Sequence, residues 1–161
     1  MVSPVSTGDF RQAMRRFPTG VTVVAVTDAS GYPWGLTVSA FTSVSLEPPL
    51  VLVCIDRSSD THDRILEAEG FGISVLSEAQ ASVASRFAVD PSEGRFDEVE
   101  WFVGPDGHPV IRGASAWLQC TLHEAHPGGD HTIIVGEVRA TGVSEQPSMV
   151  YHEGAFGSVA S

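Results

Sequence analysis

Two long strand-like stretches, about Ala116–Glu124 and Thr132–Thr141, flank the turn sequence Pro127-Gly128-Gly129-Asp130. Glycine and aspartate supply the backbone freedom that a reversal between antiparallel strands needs, so this region predicts a long hairpin. Further strands precede it. Val21-Thr22-Val23-Val24-Ala25-Val26 is β-branched and runs into the turn Asp28-Ala29-Ser30-Gly31, after which a second strand passes through Trp34. Leu50–Ile55 reads as a buried strand and Phe71–Leu76 as another. Three short helices separate them. Phe10, Ala13, Met14 and Phe17 follow helical spacing, with Ser6 and Asp9 as start signals and Pro18-Thr19-Gly20 as the stop. A second helix runs through Ile65 and Leu66 to Gly70. The third opens on the capping box Ser77-Glu78-Ala79-Gln80 and shows an apolar face of Ala79, Val83, Ala84 and Phe87. About six strands with three short helices, not in βαβ alternation, predict a mainly β chain: an antiparallel barrel, closed or partly closed, with helices outside. The whole of 1–161 is expected to be one domain, and no G-x-G-x-x-G follows the first strand.

Charge narrows the function. Twenty acidic residues against nine basic ones give −11, which opposes nucleic acid and anionic membrane surfaces as partners. All nine basic residues are arginine, so a Schiff-base lysine and a Walker-type phosphate loop are excluded. Any bound phosphate must be held by arginine, hydroxyls and backbone N–H groups. Cys54 and Cys120 sit in apolar, strand-like segments without a CxxC, as buried reduced thiols of a cytoplasmic protein would. The start, MVSPVSTGDF, has no signal-peptide character, and no apolar run reaches membrane-spanning length. His123, His126 and His131 with Glu124 and Asp130 fit no zinc spacing, so no metal is expected.

The stretch GLTVSAFTSVSLEPPLVLVC, residues 35–54, carries the most chemistry. Thr37, Ser39, Thr42, Ser43 and Ser45 read as a flexible, hydroxyl-rich bend before the turn pair Pro48-Pro49. Small hydroxyls and free backbone N–H groups beside Ala40 and Phe41 suit a flat, phosphorylated cofactor, though serine and threonine are equally at home in a polar loop. His131 stands where a tight turn enters a strand. Tyr151 and Phe156 in the Gly-rich tail YHEGAFG could close the core edge or stack on a flat ligand.

Four segments in order, FRQAMRRFPTGVTVVAV, GLTVSAFTSVSLEPPLVLVC, GDHTIIVGEV and YHEGAFG, resemble the short-chain flavin reductases of two-component flavin-dependent monooxygenases. The resemblance implies an FMN-binding split β-barrel of Greek-key type, usually a homodimer with flavin near the subunit interface. It also implies hydride transfer from a reduced nicotinamide to FMN or FAD, with reduced flavin passing to a partner monooxygenase. By position, Thr37, Val38, Ser39 and Ala40 would border the flavin ring, with Thr19 and Gly20 near it. Ser43 and Ser45 would hold ribityl or phosphate oxygens. Ser58, Thr61 and His62 would complete the phosphate site, with Arg57 supplying charge. Phe87 would approach the flavin's far end, and His131 would lie close to the nicotinamide in a catalytic or positioning role. Tyr151 and Phe156 would stack or close the pocket. Glu153 and Ala155 stand where the family often has a basic residue, which favours NADH over NADPH. The alternative is a flavin carrier or electron-transfer protein on the same barrel, without a nicotinamide site of its own.

Overall fold

In a computed structural model, which describes residues 1–160, the Ser6 hydroxyl accepts from Asp9 N at 3.1 Å and opens helix α1 (Thr7–Met14). The strands β1 (Thr19–Gly20), β2 (Thr22–Thr27), β3 (Pro33–Val38), β4 (Phe41–Ser45) and β5 (Leu50–Asp56) follow. Helix α2 (Asp60–Ala68) leads to β6 (Gly70–Val75), and a single 3₁₀ turn (Glu78–Gln80) leads into α3 (Ala81–Val89). The remainder is β7 (Trp101–Val103), β8 (Pro109–Ile111), β9 (Ala116–Gly128), β10 (His131–Val143), β11 (Met149–His152) and β12 (Ala155–Ser158).

Seven strands form one antiparallel sheet in the order β3-β2-β6-β9-β10-β5-β4. Its two edges, β3 and β4, are consecutive in the chain and joined only by Ser39 and Ala40. Two residues span a few ångströms, so the sheet must curl until its edges approach. No β3–β4 ladder closes it among the described residues, and the result is a split barrel. The Ala40 carbonyl accepts from Cys54 N at 3.0 Å, which ties the link to β5.

Alternation sorts the core. Strand β2 is buried on both faces: Val24 and Val26 enter the barrel with Val53, Ile55, Phe71, Ile73 and Ile134, while Val23 and Ala25 pack outward against Ala84 and Phe87 of α3. Gly136 of β10 makes room for a barrel side chain, because a Cβ there would stand 2.6 Å from Phe71 Cζ.

Several expectations shift. The hydroxyl-rich stretch is not one flexible bend. Gly35–Val38 belongs to β3, Phe41–Ser45 is an edge strand paired with β5, and the bend itself is Ser39-Ala40. Cross-strand pairing captured residues whose hydroxyls suggested a loop. Helix α2 ends at Ala68 and is capped by Glu69 with φ 53°, ahead of Gly70. Gly70 instead starts β6, where a Cβ would lie 2.8 Å from His108 Nε2. The long hairpin runs to Gly128 and from His131, leaving Gly129-Asp130 as its turn. The tail folds into the β11–β12 hairpin and pairs with β1 through Thr19↔Tyr151.

Candidate active site

A groove of about 830 Å³ opens where α1, β1, the Ser39-Ala40 link, β5 and β11 meet. Its floor follows from alternation on β5. Val51, Val53 and Ile55 point into the barrel, so Leu52 and Cys54 point out, into the groove. One wall is the apolar face of α1 with Phe10 and Met14, continued by Phe17, none of which the fold buries. The other is built by Thr19, Gly20, Ser39, Ala40, Phe41, Thr42 and Tyr151. A volume in the range of ligand pockets (about 300–1,000 Å³), an apolar floor and a few polar groups suit a flat heteroaromatic ring.

Thr19 gives the most specific sign. Its hydroxyl oxygen is buried and has no hydrogen-bond partner among the described residues. A buried hydroxyl without a partner costs about 1–3 kcal/mol, a cost that a hydrogen bond to a ligand in the groove would relieve. At neighbouring Gly20 a Cβ would meet nothing within 4 Å, leaving the backbone open to close approach. The site's residues therefore fit a flavin ring.

Of the residues singled out from the sequence, Thr19, Gly20, Ser39, Ala40 and Tyr151 line this groove. Thr37 does not: its hydroxyl donates to the Ala84 carbonyl at 2.7 Å and ties β3 to α3. The Val38 side chain is in the barrel core, and its carbonyl accepts from the Thr22 hydroxyl at 2.6 Å. Ser43 is exposed on β4, and Ser45 is half-buried at its end. Phe87 is fully buried, its ring edge-on to Phe96 at 4.8 Å, so it packs α3 against the barrel. Phe156 packs on Tyr151 at 5.5 Å and faces a separate small cleft with Pro18 and His152.

The 57–62 loop satisfies itself. The Ser58 hydroxyl donates to Asp56 at 2.7 Å, and Thr61 is buried. The His62 ring is also buried, with Nδ1 2.7 Å from Asp63 Oδ1 and Nε2 2.7 Å from Thr132 Oγ1. Arg57 remains exposed.

Residues 14–160 match the family described as flavin reductase like domain. The chain belongs to that family. It is 41% identical over 146 residues to the stachydrine N-demethylase reductase subunit Stc3 of Rhizobium meliloti (strain 1021), covering 91% of this chain and 63% of Stc3. The chain thus spans less than two thirds of that relative's length. It is 45% identical over 149 residues to FMN reductase (NADH) SmoA of Agrobacterium fabrum, covering 92% of this chain and 83% of SmoA. The solved structure of the NADH:FAD oxidoreductase SgcE6 of Streptomyces globisporus C-1027, in complex with NAD and FAD fragments, superposes with a TM-score of 0.92 at 40% identity. That match covers 99% of this chain and 96% of the other.

His131 in this flavin reductase domain lies beyond the groove lining but on the same outer face. It pairs with Asp56, and Ile133 pairs with Cys54, so His131 is a diagonal neighbour of Cys54, roughly 7 Å away by sheet geometry. Its Nδ1 is 2.7 Å from Asp130 Oδ1, which orients the ring while leaving it part-exposed. Asp56 beside it is held below the usual carboxylate range by the Ser58 N–H and hydroxyl, with smaller help from His131 and His62. Burial pushes the Cys54 thiol up and the Cys120 thiol up to about 12, so neither is a nucleophile at neutral pH. Two groove residues the sequence reading passed over are Arg11 and Arg15, recognisable only once α1 was known to leave its apolar face uncovered.

Proposed function

We propose that this chain is an NADH-dependent flavin reductase that reduces FMN or FAD and delivers reduced flavin to a partner monooxygenase. The buried, unpartnered Thr19 hydroxyl in an apolar groove carries this reading. Family membership, and relatives whose names specify NADH with FMN or FAD, support it. The flavin, when bound, accepts the hydride that the nicotinamide donates.

The chain's own residues bind, orient and exclude water. Leu52, Cys54 and Phe41 provide the apolar surface under the ring; Thr19, Ser39 and the open backbone at Gly20 offer polar contacts at its edge. Tyr151, held by the β1–β11 pairing and by Phe156, closes one end. His131, oriented by Asp130, orients the nicotinamide from farther along the same outer face of the sheet. Thr37, Val38 and Phe87 hold the frame that keeps the Ser39-Ala40 link in place. Val44 and Leu46 are exposed on and beyond edge strand β4. An open edge carrying apolar side chains supports a homodimer in which a second copy covers this side. No helix is long and apolar enough to cross a membrane among the described residues, and the two free thiols support a reducing, cytoplasmic setting. Aerobic NADH oxidation with FMN and FAD added in turn tests the activity. Flavin binding without NADH oxidation would favour the carrier reading.

A further inference from the structure

The chain has twenty carboxylates and nine arginines, yet no carboxylate lines the groove, whereas Arg11 and Arg15 both do. Elsewhere arginines are engaged: Arg16 with Glu153, Arg86 with Glu98, Arg139 with Glu137, and Arg64 over the Trp34 ring. Arg11 and Arg15 have no carboxylate within ion-pair reach among the described residues. They are one helical turn apart, Arg15 N donating to the Arg11 carbonyl at 3.0 Å, so their side chains leave the same face. Arg15 is also held by the tail. Its carbonyl accepts from Glu153 N at 3.1 Å, and its guanidinium carbon lies 3.9 Å from where a Gly154 Cβ would stand.

Two unpaired forked donors beside an apolar groove form a locally positive rim on a strongly negative molecule. Planar guanidinium groups match phosphate oxygens in geometry as well as charge. The 57–62 loop is a poorer phosphate site, because Arg57 there is accompanied by the carboxylates of Asp56, Asp60 and Asp63, and its Ser58 and His62 groups are already bonded. We propose that Arg11 and Arg15 clamp a phosphate of the groove's ligand, the flavin phosphate or the pyrophosphate of the nicotinamide dinucleotide. The proposal rests on the groove being the flavin and nicotinamide site.

The test measures dissociation constants of four ligands for wild type, Arg11→Gln, Arg15→Gln and the double variant: FMN, riboflavin, NADH and phosphate-free dihydronicotinamide riboside. Fluorescence quenching reads the flavins, and equilibrium dialysis reads the nicotinamides. The double variant is expected to bind FMN or NADH at least about tenfold more weakly, with its phosphate-free counterpart unchanged. Loss with FMN assigns the flavin phosphate, loss with NADH the dinucleotide pyrophosphate. Arg→Lys variants, which keep the charge without the fork, are expected to recover part of the loss. Unchanged constants for both phosphorylated ligands, or equal loss with their phosphate-free partners, would overturn the clamp while leaving the flavin reading intact. A wild type that bound none of the four would overturn the groove assignment itself, and the clamp with it.

Discussion

Thr19→Val separates the needs of the fold from those of the ligand. Valine has nearly the shape of threonine, so the substitution exchanges a buried hydroxyl for a methyl group with little change in packing. In most buried sites that exchange destabilises, because a hydrogen bond is lost. Here the hydroxyl has no partner to lose among the described residues. Removing its desolvation cost should stabilise the flavin-free protein by about 1–2 kcal/mol, within the range measured for buried unpaired polar groups. For a chain of this length that is roughly 2–8 °C in melting temperature. Flavin affinity should move the other way, weakening roughly 2- to 10-fold for one lost neutral hydrogen bond. Thr19→Ser, which keeps the hydroxyl, should retain the affinity. Thermal melts of flavin-free protein and flavin fluorescence titrations read the two effects. A lower melting temperature for the valine variant together with unchanged flavin affinity would refute the reasoning.

Replacing Gly136 with alanine forces a Cβ to 2.6 Å from Phe71 Cζ and 2.9 Å from Cys120 Cβ; the variant should lose about 1–3 kcal/mol in denaturant unfolding. Asp28 is held well below the ordinary carboxylate range by the Ser30 hydroxyl, then the Trp34 indole N–H, then the Tyr32 N–H. Its folded pKa lies below the unfolded one, so its contribution is complete above about pH 4 and is lost as pH falls toward the folded value. The melting temperature of Asp28→Asn should therefore fall less than that of the wild type on acidification below pH 4. His131→Ala should raise KM for NADH roughly 3- to 10-fold if the imidazole orients the nicotinamide, and unchanged KM and turnover would remove that role.

The barrel was legible because its strands carry their own signals. Val21–Val26 and Leu50–Ile55 became β2 and β5 nearly as read, since β-branched runs bounded by turn residues have few other options. The site was legible only in part. Thr19, Gly20, Ser39, Ala40 and Tyr151 reach the groove, but Thr37 and Ser58 had their hydroxyls taken by the Ala84 carbonyl and the Asp56 carboxylate. Which hydroxyl stays free depends on a partner 47 residues away for Thr37, and a local pattern does not contain it. The tail hairpin escaped for a related reason. Met149–His152 and Ala155–Ser158 are short; the first gains its order from pairing with β1, at the other end of the chain, and the second from pairing with the first. Arg11 and Arg15 escaped because helical spacing assigns an apolar face but does not say whether anything covers it.

Aerobic NADH consumption by the purified protein, followed with FMN and FAD supplied in turn, tests the central claim most directly. Steady NADH oxidation that depends on added flavin, and is weakened in Thr19→Val and in the double arginine variant, is the predicted result. No NADH oxidation with either flavin would contradict the claim.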